Sequence, residues 1–173
     1  KNVLVLMITY HAVTVLSSDL LVNLAAGLFI LPFFLFSALA GQIADKFEQS
    51  KLIRRIKWFE VIIMACAALS FYFDSLSCLM MVLFLMGTQS AFFGPVKYSI
   101  LPRQLEPDEL VGGNALIEMG TFVAILFGTI TGGLLVQYTN HRIVGLVVLS
   151  ISLTGLISSL FIPGTAAASP RLR

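Results

Sequence analysis

The 173 residues are too apolar for an ordinary soluble domain. Hydrophobic residues make up 58% of the chain and charged residues 12%, and the mean hydropathy is +0.95; soluble domains carry about 25% charged residues. The formal net charge of +2 comes without any phosphate-binding loop or basic-aromatic pattern, so the composition predicts no nucleic-acid partner. We therefore expect an all-α integral membrane protein.

Six apolar runs follow one another along the chain, and a helix needs about 20 residues to cross a bilayer. The first run is short and is interpreted as the remainder of a span. A signal peptide is the rival interpretation, against which stands the lack of a small-residue cleavage site. The spans are predicted at 3–16, 20–44, 52–73, 76–93, 110–138 and 143–162, and residues 163–173 form a cytoplasmic tail or linker.

Residues 41–58 form the polar, strongly basic stretch between two long apolar runs. Short connections rich in Lys and Arg resist translocation and stay in the cytoplasm. When the predicted spans alternate across the membrane, every Lys and Arg except Arg142 falls on the cytoplasmic side. We therefore predict both chain ends in the cytoplasm. The stretch holds five of the eleven basic residues: Lys46, Lys51, Arg54, Arg55 and Lys57.

Prolines interrupt two of the predicted spans. Pro32 is interpreted as a packing kink, with a gating hinge as the alternative. At Pro95 the helix is expected to end or bend. If it continues, Gln89, Phe93 and Lys97 share one face directed into the bundle, because they are four residues apart.

The fifth run carries two patterns. Asn114, Glu118 and Thr121 are spaced by four and three residues and form a polar patch near the predicted cytoplasmic end. Small residues recur every four positions and form a ridge that lets another helix approach closely. The helix-packing residues are Gly120, Ala124, Gly128 and Gly132, with Gly133 beside them.

Ionisable residues inside a membrane span are either paired or functional. Glu60 is placed about one turn from the basic stretch and is interpreted as an interfacial ion pair with Arg55 or Lys57. Cys66 and Cys78 have no partners for a metal site or a disulfide framework. No nucleophile elbow, HExxH sequence or His/Cys cluster is present, so we predict no enzyme, metal or cofactor.

Residues 41–46, GQIADK, resemble the loop between the second and third spans of major facilitator transporters, which begins G-x-x-x-D-(R/K). The match decays after Lys46, where Glu48, Gln49 and Ser50 replace Gly and two basic residues. The resemblance implies half of a facilitator fold, built from two inverted three-span repeats. It also implies a conformational-switch loop made of Gly41, Asp45, Lys46, Arg54 and Arg55.

Three further pieces resemble the bacterial lysophospholipid transporter family. They are Lys1-Asn2, residues 92–102 (FFGPVKYSILP) and residues 112–133 (GGNALIEMGTFVAILFGTITGG). The resemblance implies inward movement of lysophosphatidylethanolamine across the inner membrane for reacylation. The implied partners are membrane lipids, a second six-span half that follows this one, and fused acyltransferase and acyl-carrier-protein synthetase domains.

A zwitterionic headgroup needs a cation for its phosphate and a carboxylate for its ammonium. Lys97 and Glu118 are the intramembrane pair that fits this need, with Asn114 and Gln89 as further substrate-binding candidates. The alternative is that the two charges only neutralise each other. Two other functions stay open: transport of another small solute, and a membrane anchor or scaffold that does not transport.

Overall fold

The computed structural model describes residues 19–73, 75–138 and 141–164. All regular secondary structure in these residues is helical. The predicted first span at 3–16 and the tail beyond residue 164 lie outside the described residues. The helices are α1 (Asp19–Lys46), α2 (Gln49–Tyr72), α3 (Leu76–Ser99), α4 (Leu101–Gln104), a 3-10 turn (Pro107–Glu109), α5 (Leu110–Tyr138) and α6 (His141–Leu160).

Four stretches of helix are long and apolar enough to cross a membrane. They are Asn23–Lys46, Leu76–Gln104, Pro107–Leu135 and Ile143–Leu160. The first half of α2 carries Lys and Arg residues together with Glu60, and these charges keep this helix outside the set. The helical membrane fold predicted from the composition is thus confirmed, whereas the count of six spans stays a prediction.

The basic stretch at 41–58 is not a loop, contrary to the sequence prediction. Phe47 and Glu48 alone separate α1 from α2, and the basic residues after them lie on the first turns of α2. Ile53 and Ile56 are buried on the opposite face of those turns, so this segment is an amphipathic helix. Glu60 consequently lies about three turns into α2 instead of one.

The fourth predicted span does not end at Phe93, because α3 continues through Pro95 to Ser99. Proline removes one helical hydrogen bond, a loss that a surrounding bundle tolerates. Beyond the proline, Val96 and Ile100 are buried in a small apolar cluster. This cluster holds the last turns of α3 in place; its other buried members are Ala44, Ile53 and Ile56.

The bundle is organised around three packed helix pairs, two of which approach closely at a glycine. Helix α1 packs along α3, and α2 packs along both α3 and α6. A Cβ on Gly87 would collide with the Phe29 carbonyl oxygen and lie 3.1 Å from the Pro32 Cγ. A Cβ on Gly145 would lie 3.0 Å from the Ala68 Cα. Close approach of the backbones therefore depends on glycines of α3 and α6, which showed no repeating pattern in the sequence.

Helix α5 stands apart from this packed core. No residue of its most apolar stretch is buried, and large side chains such as Phe122 and Phe127 are exposed. At its N-terminus, Leu101 and Leu105 pack against Gly113. A space therefore remains between α5 and the other helices.

We predict that Gly87→Ala destabilises the bundle, since the added methyl group meets backbone atoms of α1 that cannot rotate away. Overpacking of this kind costs about 1–3 kcal/mol of unfolding free energy. The matched control is Gly27→Ala on α1, where a Cβ meets no atom within 4 Å. Thermal unfolding of both variants in detergent should show a lower midpoint for Gly87→Ala alone. Equal midpoints would contradict the close contact between α1 and α3.

Candidate functional site

A cavity of about 850 Å³ lies between α5 and the other four long helices. Its walls are largely apolar, with aromatic side chains at Phe29, Phe33 and Phe93. Its volume falls within the range of about 300–1,000 Å³ that is usual for small-molecule pockets. The described residues with polar side chains in its wall are Glu60, Ser90, Lys97, Thr121 and Ser152.

Lys97 enters the cavity wall from the last turn of α3. Its Nζ donates a hydrogen bond to the Thr121 Oγ1 at 3.0 Å. The same nitrogen lies 3.8 Å from the Glu118 Oε1 and 4.6 Å from the centre of the Tyr98 ring. The ammonium is thus held between α3 and α5 at one end of the cavity, where it can meet an anionic group.

The predicted polar patch is only partly at the cavity. Glu118 pairs with Lys97, but its side chain is 42% exposed. Asn114 is exposed, and Gln89 is buried against α2. The described wall of the cavity includes Lys97 and Thr121 but not Glu118, Asn114 or Gln89. The structure therefore brings Lys97 and Glu118 together and leaves the other two candidates apart from them.

Glu60 is the carboxylate that lines the cavity, and sequence reasoning missed this role. Its Oε2 accepts hydrogen bonds from the Lys57 Nζ and the Gln89 Nε2, both at 2.9 Å. Its side chain is 12% exposed. The predicted ion pair with Lys57 is thus confirmed, but it lies in the bundle instead of at the interface. Placing the start of α2 at Gln49 would have shown that Glu60 lies in the middle of a helix.

The side chains of Gln89, Phe93 and Lys97 all meet other helices, as their spacing of four predicts. Gln89 bonds to Glu60 on α2, and the Phe93 ring centre lies 5.0 Å from the Lys57 Nζ. Lys97 bonds to Thr121 on α5. One face of α3 therefore connects two separate polar groups of the bundle.

The glycines of α5 border the cavity. Gly120 and Gly128 are part of its wall. A Cβ on Gly120 or Gly133 would meet no atom within 4 Å, whereas Gly132 is buried. No described helix thus packs closely on Gly120 or Gly133, and the packing role of these four glycines stays a prediction.

The residues of the predicted switch loop belong to two helices. Gly41, Asp45 and Lys46 lie in the last turns of α1, while Arg54 and Arg55 lie in the first turns of α2. Their role in conformational switching stays a prediction. Among the described residues, no group of three His, Cys, Asp or Glu side chains is arranged to hold a metal ion.

Arg54 holds the C-terminal end of α6. Its Nη2 donates to the carbonyl oxygens of Ile162 at 2.9 Å and Leu160 at 3.3 Å, and its Nε donates to that of Ser159 at 3.4 Å. The last carbonyls of a helix lack intrahelical partners, although that of Ser159 also accepts from the Ile162 N–H at 3.4 Å. A cation is stabilised at this negative end of the helix dipole. The Ser50 hydroxyl also donates to the Pro163 carbonyl.

Comparison with known proteins identifies two levels of similarity. The sequence profile of the Major Facilitator Superfamily matches residues 2–173. The chain is similar to proteins named lysophospholipid transporter LplT: 32% identical over 143 residues in Citrobacter koseri, 30% over 143 in Escherichia fergusonii, and 33% over 147 in Salmonella newport. Each match covers 82% of this chain and 34% of the relative, so the chain spans about a third of their length. No solved structure matches.

We predict that Arg54→Ala lowers the free energy of unfolding by about 1–3 kcal/mol, since it leaves carbonyl groups at the end of α6 without a charged donor. Arg55→Ala is the matched control, because Arg55 is the next residue and is exposed. Thermal unfolding in detergent should show a lower midpoint for Arg54→Ala only. Similar midpoints for both variants would mean that this contact does not stabilise the fold.

Proposed function

Since the chain belongs to the Major Facilitator Superfamily, we propose that it forms the N-terminal six-span half of a transporter that moves lysophospholipids, with lysophosphatidylethanolamine as the substrate. The observation that carries this proposal is an apolar cavity with one ammonium, that of Lys97, in its described wall. Such a site matches a ligand with one acyl chain and a phosphate. The LplT relatives, which are named transporters and not enzymes, support the same substrate class.

The apolar part of the cavity suits the acyl chain. Side chains of Phe29, Phe33, Met64 and Ile125 surround it, and burial of apolar ligand surface is favourable by roughly 25 cal/mol per Å². A single acyl chain fits a pocket of this volume class. Few polar side chains lie in the described cavity wall. In a pocket of this kind the polar side chains orient the ligand, while the apolar surface supplies affinity.

Lys97 is the residue that binds the phosphate. A lysine ammonium binds phosphate as a compact charge with three donors. The hydrogen bond to Thr121 holds it in place at 3.0 Å. Two roles are open for Glu118. Its position favours pairing with Lys97, because its Oε1 lies 3.8 Å from the Lys97 Nζ and its side chain lies outside the described cavity wall. Asn114 and Gln89 lie outside the described cavity wall, so neither is assigned a direct contact with the substrate.

The six-span topology is part of the proposal. The apolar run at 3–16 supplies the first span, α2 the third, and two inverted three-span repeats make up the half. Both ends face the cytoplasm of a bacterial cell, because this orientation leaves Arg142 as the single basic residue outside. A second six-span half completes the transporter. Fused acyltransferase and acyl-carrier-protein synthetase domains would reacylate the lipid after it has crossed.

We predict that Lys97→Ala lowers lysophosphatidylethanolamine uptake by about tenfold or more, since a hydrogen bond to a charged group contributes about 1.5–3 kcal/mol. Lys97→Arg should retain part of the uptake, because its planar guanidinium also binds phosphate. Uptake is measured in cells that produce the intact gene product carrying this chain and is normalised to folded protein. Unchanged uptake in Lys97→Ala would exclude the phosphate-binding role.

Glu118→Gln tests the pairing assigned to Glu118. If Glu118 only neutralises Lys97, uptake of lysophosphatidylethanolamine and lysophosphatidylglycerol should fall by the same factor. Each single change should also lower the stability of the fold. The double variant Lys97→Met with Glu118→Leu should then restore folding, because removal of both members of a paired charge is often neutral. A larger loss for the ethanolamine lipid would instead show that Glu118 receives the ammonium.

The topology is tested by cysteine labelling in a background of Cys66→Ser and Cys78→Ser. Lys51→Cys suits the cytoplasmic end of α2, because the Lys51 side chain is 70% exposed. Phe73→Cys reports the opposite end, where Phe73 is also exposed. An impermeant thiol reagent added to intact cells should label position 73 and spare position 51. The reverse pattern would overturn the orientation.

A further inference from the structure

A second polar group lies between α2 and α3, away from the contact between Lys97 and Thr121. It consists of Lys57, Glu60 and Gln89, with the Phe93 ring facing the Lys57 ammonium at 5.0 Å. Lys57 also packs against α6, where its Nζ would lie 3.4 Å from a Cβ on Gly155. Of the three polar residues, Glu60 is the one in the described cavity wall.

The hydrogen bonds in this group leave an acceptor unpaired. Both the Lys57 ammonium and the Gln89 amide donate to the same Glu60 oxygen. Gln89 is 2% exposed, and its Oε1 has no hydrogen-bond partner among the described residues. A carboxylate can accept about four hydrogen bonds in total. Glu60 is the member of this group in the described cavity wall, and the ligand group that complements it is a hydrogen-bond donor.

The position of the group relative to Lys97 suits a headgroup whose phosphate binds Lys97 and whose neighbouring donor group faces Glu60. Gln89 and Lys97 are eight residues apart on the same face of α3, about 12 Å along the helix axis. The Lys97 side chain leans back along α3 toward the level of Glu60, because long helical side chains lean toward the helix N-terminus, and this shortens the gap that a ligand must bridge. The phosphate lies between the glycerol and the ethanolamine, so a phosphate bound at Lys97 leaves either neighbouring group free to extend toward Glu60.

We propose that Glu60, held by Lys57 and supported by Gln89, accepts a hydrogen bond from a donor group of the substrate while Lys97 binds its phosphate. Two donors of a lysophospholipid have this chemistry: the ammonium of ethanolamine and the free hydroxyl of the glycerol. The proposal rests on the proposed function and assigns Glu60 as its specificity-determining residue. Glu118 does not share this role, because its carboxylate lies outside the described cavity wall.

A purely structural link between α2 and α3 is the competing explanation for the same contacts. Ionisable groups inside a membrane bundle are costly, and two apolar side chains would join the helices without that cost. The two explanations differ in one observable, the preference among headgroups. A structural link affects all substrates alike, whereas a recognition group affects those that carry its donor.

The experiment compares uptake of three lipids by the intact gene product carrying this chain and by its Glu60→Gln variant. Lysophosphatidylethanolamine carries both donors, lysophosphatidylcholine lacks the N–H donors, and 2-deoxy-lysophosphatidylethanolamine lacks the glycerol hydroxyl. We expect the parent protein to prefer the first lipid over one of the two analogues by about tenfold. The Glu60→Gln variant should lose that preference. The analogue that the parent protein transports less well lacks the donor that Glu60 accepts from, and so identifies it.

The control variant is Thr88→Ala, since Thr88 is next to Gln89 on α3 but lies outside the described cavity wall, and its hydroxyl donates to the Phe84 carbonyl within α3. It should keep the preference of the parent. If Glu60→Gln does not fold, Lys57→Met with Glu60→Leu removes both charges and should give a folded protein without the preference. Equal losses for all three lipids, or no preference in the parent, would overturn the role of Glu60. Absence of lysophospholipid uptake by the parent would instead overturn the proposed function.

Discussion

Two ion pairs among the described residues place charges in or beside an apolar bundle, where an unpaired charge would be costly. Lys57 is paired with Glu60 at 2.9 Å, and Lys97 lies 3.8 Å from Glu118. Each pair fixes a different contact: the first lies within α2 and is bonded onward to α3, and the second joins α3 to α5. Apolar packing supplies much of the stability of this bundle, while the charges determine which helix faces meet.

This arrangement gives α3 a central position. It packs on α1 through Gly87 and on α2 through the apolar core, and its polar face carries Gln89 and Lys97. Helix α5, by contrast, meets the bundle toward its N-terminus, at Gly113 and Thr121, and again at Leu135, which packs against the apolar core. The cavity exists because the middle of α5 stays away from the core, and most of its polar side chains come from the tightly packed helices.

Patterns of period and charge predicted the helical membrane fold and the face shared by Gln89, Phe93 and Lys97. They failed where a residue type suggested a loop, since Lys51, Arg54 and Arg55 look like a connection although Ile53 and Ile56 bury the other face of the same helix. The predicted position of Glu60, about one turn from the basic stretch, was wrong for that reason. The close contacts at Gly87 and Gly145 could not be predicted, because single glycines carry no period. The regular glycines of α5 predicted a packing ridge, and among the described residues no atom would lie within 4 Å of a Cβ at Gly120 or Gly133, so that role stays a prediction.

Pro95 lies between the two polar groups on α3, directly after Gly94. A proline removes the N–H that would bond to the carbonyl of Ala91, so the helix resists bending least at this point. The segment with Lys97 is therefore mechanically distinct from the segment with Gln89. A ligand that binds both groups would therefore contact two segments of α3 on opposite sides of a missing helical hydrogen bond, and the small apolar cluster anchors the segment with Lys97.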